Sequence, residues 1–348
     1  MSVAILGGLG YVGRHLAQQL LVMGIKTVII DARDDRAAVG DLSKFDKTGK
    51  SLHFAKITLP TLTTTLIDVL AAHRIHTVIN LMGRQSNPAT TLYMTKYLYA
   101  QISHSLPNVK TFIHCTPHDD TVGYGKDNRF EGIANPENFL KFAAVNDENS
   151  KLFVMVLRLP EAYGHDMRIR QMKNETHHIK ERNTSNSLWM NLESFRKGLI
   201  KSVPVYRTQL GNKEFTPTIN LMPIFDVCGS IIDSMSYCKA ARFSCTFAAT
   251  DIASQVFMTT EQFIKLYEEN EMEKGTVKTK AFTNGPIQMK AKSDGLAGIR
   301  MIQSNILFPL DYILSNRSLN NTFMKFEFKL MDHTPNDELH TANKRHYS

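Results

Sequence analysis

One stretch constrains this chain more than any other. It reads Val3-Ala4-Ile5-Leu6, then Gly7-Gly8-Leu9-Gly10-Tyr11-Val12-Gly13, then a helix-forming run to Met23, then Thr27-Val28-Ile29-Ile30-Asp31. That order is a short apolar strand, a glycine turn, an amphipathic helix and a second strand ending in an acid. Gly7 lets the chain turn out of the strand. Gly10 admits a pyrophosphate close to the backbone, and Gly13 lets the helix pack against the strand. Phosphates would meet the N–H groups of the helix start, around Tyr11, Val12 and Gly13. Asp31 falls about 20 residues beyond the turn, where a carboxylate accepts hydrogen bonds from a ribose diol. The stretch therefore implies a dinucleotide site.

The alternation continues downstream. Residues 32–50 are polar and read as a loop, with Arg33 and Arg36 just past the acid. These arginines are either solvated loop charges or groups that stack on adenine or pair with a 2′-phosphate. Asp31 favours NAD as cofactor, and the arginines leave NADP open. Leu52–Thr58 reads as a third strand, and Leu62, Leu66, Val69 and Leu70 give Thr61–His73 helical spacing. Thr77–Gly83 is a buried strand with a glycine exit, Pro88–Leu106 a helix, Val109–Thr116 a fifth strand and Lys151–Leu159 a sixth. Strands alternating with helices predict an α/β fold, a doubly wound parallel sheet of Rossmann type. A smaller C-terminal α+β lobe follows.

The glycine spacing, set in Gly-Gly-x-Gly-Tyr-Val-Gly, resembles the extended short-chain dehydrogenase/reductase family. That family includes NAD-dependent nucleotide-sugar epimerases and dehydratases. The resemblance implies further roles. Leu81 and Gly83 would lie where the backbone passes under the nicotinamide ribose. An Asp contacting adenine usually ends the third strand, and Thr58 stands there instead. Arg158-Leu159-Pro160-Glu161-Ala162-Tyr163-Gly164 is similar to the exit into a substrate lobe. The boundaries expected are residues 1–164 for the nucleotide-binding domain and 165–330 for the lobe. A late strand and helix, at about 215–250, would return to the main domain, with Asp226 capping that helix. The stretch containing Arg168, Arg170, Lys173, Lys180 and Arg182 either holds substrate phosphates or is a surface loop. The resemblance runs to about residue 272.

Family catalysis requires a Tyr that trades a proton with the substrate hydroxyl. A Lys four residues later lowers its pKa, and a Ser or Thr after strand five holds the substrate oxygen. The spacing stacks Tyr and Lys one helical turn apart. Thr116 fills the Ser/Thr position. No Tyr-x-x-x-Lys lies between Gly125 and Arg158, and Lys141 is preceded at four residues by Glu137. A carboxylate beside a lysine would form an ion pair and would not reproduce a poised phenol. Two readings stay open. Either the chain keeps the nucleotide fold and has lost the dyad, or Tyr124 supplies the acid from a different position. The first makes the protein an NAD(P)-binding pseudoenzyme with a binding, scaffold or regulatory role. The second makes it an active NAD-dependent epimerase, dehydratase or reductase with a non-standard acid.

Composition narrows the remaining classes. The 348 residues carry 43% hydrophobic and 21% charged residues, which suits a globular core. A net charge of +8 is spread along the chain without one basic tract, so a nucleic-acid partner is not expected. Expected ligands are a nucleotide-sugar-like molecule or a protein partner. Cys115, Cys228, Cys238 and Cys245 lack metal-ligand spacing, and His177-His178 are adjacent, so no metal is expected. With no signal peptide and no apolar run near the ~20 residues of a membrane span, the expectation is a reducing, cytoplasmic setting. The helix around Lys141 looks only about ten residues long. That puts the family's usual helical dimer in doubt. Residues 331–348 read as a polar, disordered tail.

Overall fold

The computed structural model describes residues 1–60, 65–82, 88–106, 108–117, 136–147, 150–164, 192, 203–206, 208–210, 213–215, 218–242, 246–253, 257–273 and 289–292. Within them the chain forms two units. The first comprises residues 1–159 and 227–252, the second residues 160–226 and 253–348.

A seven-stranded sheet forms the first unit. Its strands are β1 (Ser2–Leu6), β2 (Lys26–Asp31), β3 (Leu52–Lys56), β4 (Thr77–Asn80), β5 (Thr111–Pro117), β6 (Phe153–Leu159) and β12 (Phe247–Asp251). They lie in the order β12-β6-β5-β4-β1-β2-β3. Every pairing is parallel, with Leu6 beside Ile30 on one side and Asn80 on the other. Strand order reverses between β1 and β4. In open parallel sheets this reversal leaves a crevice beyond the carboxyl ends, where ligands bind. All five residues of β1 and all four of β4 are buried. Burial on both faces is why these strands are continuous apolar runs instead of alternating ones.

Helix α1 (Tyr11–Val22) buries Leu16, Ala17, Leu20 and Leu21. Each of the three leucines contributes about 1.5–3 kcal/mol of burial free energy. The helix stops at a Schellman motif. Gly24 adopts φ 72°, its N–H donates to the Leu21 carbonyl, and the Ile25 N–H donates to that of Leu20. Helices α3 (Thr65–Ala72), α4 (Pro88–Ser105) and α5 (Pro136–Asn146) follow their strands. Leu66, Leu70, Leu98, Ile102 and Leu140 join one apolar core with Val28, Ile30, Phe112 and Val156.

Part of the polar stretch after β2 is a helix and not a loop. Helix α2 (Arg36–Ser43) is capped by Asp35, whose side chain accepts from the Ala38 N–H, and it buries Ala38 and Leu42. Gly40 and the surrounding charges mask that i, i+4 apolar pair in the sequence.

Helix α6 (Ile224–Ala241) begins two residues before Asp226. Asp226 therefore sits inside the first turn and not at the cap, where it still favours the positive end of the helix dipole.

In the second unit, β7 (Glu161–Tyr163), β11 (Thr218–Pro223) and β13 (Phe257–Thr259) make a three-stranded sheet, parallel between β7 and β11 and antiparallel between β11 and β13. β9 (Thr208–Leu210) and β10 (Lys213–Phe215) form an antiparallel pair, and β8 (Val203–Tyr206) runs parallel to β14 (Met289–Lys292). The segment 215–222, which reads as one strand, is split between β10 and β11. Helix α7 (Thr260–Glu273) opens on a reciprocal capping box: Thr259 Oγ1 accepts from the Gln262 N–H, and Gln262 Oε1 accepts from the Thr259 N–H. Glu261 is the acidic residue of the first turn, but Gln262 makes the box.

Candidate dinucleotide site

The glycine turn lies at the carboxyl end of β1, beside the reversal in strand order. Gly7 turns the chain with φ 74°, a value at which a side chain is strained. Its N–H donates to the Ile30 carbonyl, and the Gly10 N–H donates back to the Gly7 carbonyl. A Cβ on Gly13 would stand 2.7 Å from the Gly8 Cα and carbonyl oxygen, so the close approach is to the turn itself more than to the strand. A Cβ on Gly8 would stand 2.8 Å from the Ile29 side chain, a close packing contact that sequence spacing alone does not assign. Among the described residues, only the Gly7 carbonyl oxygen lies near a Cβ built on Gly10, at 3.1 Å. They leave the space in front of Gly10 open. No side chain caps α1, and no acid stands in its first turn. An uncapped helix start beyond a glycine turn favours an anion.

Asp31 closes the other side. The Leu9 N–H donates to its Oδ2 at 3.0 Å, tying the turn to the end of β2. The remaining three donors come from Arg33: its N–H and Nε reach Oδ1, and its Nη2 reaches Oδ2, each at 3.0 Å. Burial alone would raise the Asp31 carboxyl, but the Arg33 guanidinium and the two backbone N–H groups outweigh it and hold it below its ordinary value.

Arg14, almost fully buried on α1, braces the same turn. Its Nε donates to the Leu9 carbonyl at 2.9 Å and its Nη2 to Asp35 Oδ2 at 2.6 Å. Both backbone groups of Leu9 are thus held by charged side chains. Sequence reasoning missed Arg14 and Asp35; the signal was a charged residue directly after the last glycine, on the face of the helix that is buried.

β4 leaves the sheet against this turn. The Leu81 N–H donates to the Leu6 carbonyl, and a Cβ on Gly7 would lie 3.0 Å from the Met82 side chain. Leu81 is thereby brought to the glycine turn, while Gly83 lies outside the described residues. Asn80 Oδ1 accepts from the Met82 N–H, so its amide nitrogen faces His114 Nδ1 at 2.9 Å. An amide nitrogen only donates, which makes His114 Nδ1 the acceptor and places the ring proton on Nε2. Complete burial lowers the His114 pKa to about 4, so the ring is neutral.

The residues considered for catalysis are not gathered in the same way. Thr116 is buried near the end of β5, in register with Arg158 on β6. Lys141 is exposed on α5. Tyr124 lies outside the described residues, as do Cys245, the stretch 165–191 and residues 293–348. Glu137, one turn before Lys141, directs its carboxylate to Arg158, with contacts of 2.6 and 2.9 Å. Arg158 also donates to Asp251 at 2.9 Å. Burial disfavours the Arg158 charge, and the two carboxylates more than restore it. The anchor of α5 is therefore a buried ionic cluster across α5, β6 and β12. Among the described residues no group of three His, Cys, Asp or Glu side chains is arranged to hold a metal ion, and no helix is long and apolar enough to cross a membrane.

Residues 3–110 match the profile of the NAD dependent epimerase/dehydratase family. Over that span the chain is similar to members of this family. Solved structures of similar fold include a UDP-glucose 4-epimerase from Stenotrophomonas maltophila with bound NAD and formylated UDP-arabinopyranose. It has a TM-score of 0.61 and 14% identity over 86% of this chain and 92% of that one. The UDP-glucose 4-epimerase of Bifidobacterium longum, in complex with NAD+ and UDP, gives 0.62 and 16% over 84% and 86%. A dTDP-glucose 4,6-dehydratase from Bacillus anthracis, in complex with NAD, gives 0.52 and 15% over 84% and 85%. At these identities the likeness is one of fold. No curated protein matches the sequence.

Proposed function

We propose that this protein binds NAD at the glycine turn, together with a nucleotide-sugar-like ligand, and serves as a binding or regulatory protein without the family's full proton-transfer cycle. The observation that carries the first part is the tie between Leu9 and Asp31. It sets an uncapped helix start and a buried carboxylate on one turn, at the reversal in strand order. Residues 10–13 would receive the pyrophosphate, Asp31 the adenosine ribose, and Leu81 would pass beside the nicotinamide end. NAD, when bound, supplies a hydride acceptor. NADP is the weaker candidate, because a buried carboxylate repels a 2′-phosphate.

The second part rests on α5. Its i, i+4 pair is Glu137 and Lys141, and Arg158 engages Glu137. Neither side chain offers a phenol for exchange with a sugar hydroxyl.

The test is an NADH fluorescence titration, followed by UDP- and dTDP-sugars added to the NAD complex while absorbance at the reduced-cofactor band is recorded. The expected result is micromolar binding and no cofactor reduction or sugar conversion. Gly13→Ala should weaken binding by at least about 100-fold, because its Cβ meets backbone atoms that cannot yield. Turnover that disappears in Tyr124→Phe would overturn the non-catalytic half. Equal NADH affinity in Gly13→Ala and the native protein would overturn the cofactor half.

A further inference from the structure

Asp31 has no acceptor site left for a ribose. An ionised carboxylate offers about four lone-pair positions. Four N–H groups fill them here: Leu9 N and Arg33 Nη2 on Oδ2, Arg33 N and Nε on Oδ1. The two backbone donors belong to the glycine turn and to the bend after β2. They are fixed by the fold. The two guanidinium donors belong to a side chain that is 37% exposed, while Asp31 is 7% exposed. A ribose diol brings two O–H donors, and the two positions it needs are the two that the Arg33 guanidinium holds.

We infer that Arg33 is a latch on the ribose position: its forked pair with Asp31 closes the site in the free protein, and a dinucleotide must displace it. This rests on the cofactor reading given above. The inference follows from complementarity. The guanidinium and the diol each present two donors to the carboxylate, so they compete for the same two acceptor positions and do not share them. The anchors around them stay put, because the Ile57 N–H holds the Asp31 carbonyl and Arg14 holds the Leu9 carbonyl. Opening the latch therefore needs only rotation of an exposed side chain. The consequence is a cofactor affinity lower than the turn alone would give. The displaced guanidinium also becomes available to a 2′-phosphate, so the latch narrows the preference for NAD over NADP.

The experiment compares the native protein with Arg33→Met, which keeps the apolar stem, and Arg33→Lys, which keeps the charge without the fork. NADH and NADPH are titrated separately, and the Asp31 carboxyl carbon is followed by NMR against pH without ligand. Arg33→Met should bind NADH about three- to ten-fold more tightly, the range expected for losing one half-exposed forked pair. It should bind NADPH more weakly, and Arg33→Lys should fall between. The Asp31 titration should move to higher pH in Arg33→Met. Equal or weaker NADH binding in Arg33→Met, with the native protein still binding, would overturn the latch and leave the cofactor site standing. An unmoved Asp31 titration would do the same. If neither form binds either dinucleotide while the Asp31 titration still moves, the cofactor reading fails, and the latch as a control on it fails too.

Discussion

The first turn of α1 and the first turn of α5 stand on the same sheet and are built to opposite ends. At α1 the charged side chains face inward on the backbone of the turn: Asp31 and Arg14 grip the N–H and carbonyl of Leu9, and no side chain caps the helix start. At α5 the first-turn acid, Glu137, is engaged by Arg158, which Asp251 also holds. One arrangement uses charge to hold open a place for something else. The other uses charge to complete itself. The comparison teaches that one helix start can be left open by placing charge on the backbone of the turn before it, while another is closed by pairing its first-turn acid across neighbouring strands.

The largest test of that contrast is Arg158→Met. If the α5 cluster is a structural clamp, removing the cation strands two poorly hydrated carboxylates, at a cost of about 3–5 kcal/mol. Denaturant unfolding of the full chain should show that loss as a lower midpoint, with NADH affinity unchanged where the protein is still folded. A loss below about 1 kcal/mol would break the contrast, because α5 would then not be anchored by charge. Glu137→Gln should cost less than Arg158→Met, since it leaves one carboxylate paired with the arginine.

How far these arrangements were legible in the sequence follows the same division. The parallel sheet was legible because β1, β4 and β6 are buried on both faces and write uninterrupted apolar runs. The glycine turn was legible because backbone geometry dictates residue type at Gly7 and Gly13. Helix α2 was not legible, since its apolar face is two residues, Ala38 and Leu42, among charges, and its start depends on one capping contact from Asp35. The braces and the latch were also hidden. Arg14, Arg33 and Arg158 act through partners 2 to 93 residues away, and no local pattern records which carboxylate an arginine will meet. Asp226 shows the ordinary limit on helix ends, displaced from the cap by three residues.

His114, buried on β5, provides a smaller test. Its folded pKa, near 4, lies below its ordinary 6.5. Above pH 6.5 the ring is neutral in both states and contributes no pH dependence. As pH falls from 6.5 toward 4, the unfolded chain takes up a proton that the folded protein does not, so stability falls with pH across that window. The full span is worth roughly 3 kcal/mol at 1.36 kcal/mol per unit. His73, also lowered, acts in the same direction. His114→Gln keeps an acceptor for Asn80 and should flatten the profile between pH 6.5 and 4 without removing the part due to His73. An unchanged profile would mean that the Asn80–His114 contact opens to water in solution.

The smallest expected effect sharpens the contrast most. Lys141 is exposed on α5 and carries no partner in the ionic cluster around Arg158. If that helix serves only to pack and to anchor, Lys141→Ala should change unfolding free energy by no more than about 0.5 kcal/mol, as surface substitutions away from special features do. NADH affinity should stay within two-fold. In an active reductase or epimerase the same lysine would hold the nicotinamide ribose and depress the pKa of an acid, so its loss would reduce both cofactor affinity and any sugar turnover by more than ten-fold. The two readings of α5 therefore diverge on a residue whose removal leaves the fold intact, and NADH titration of Lys141→Ala separates them without knowledge of the substrate.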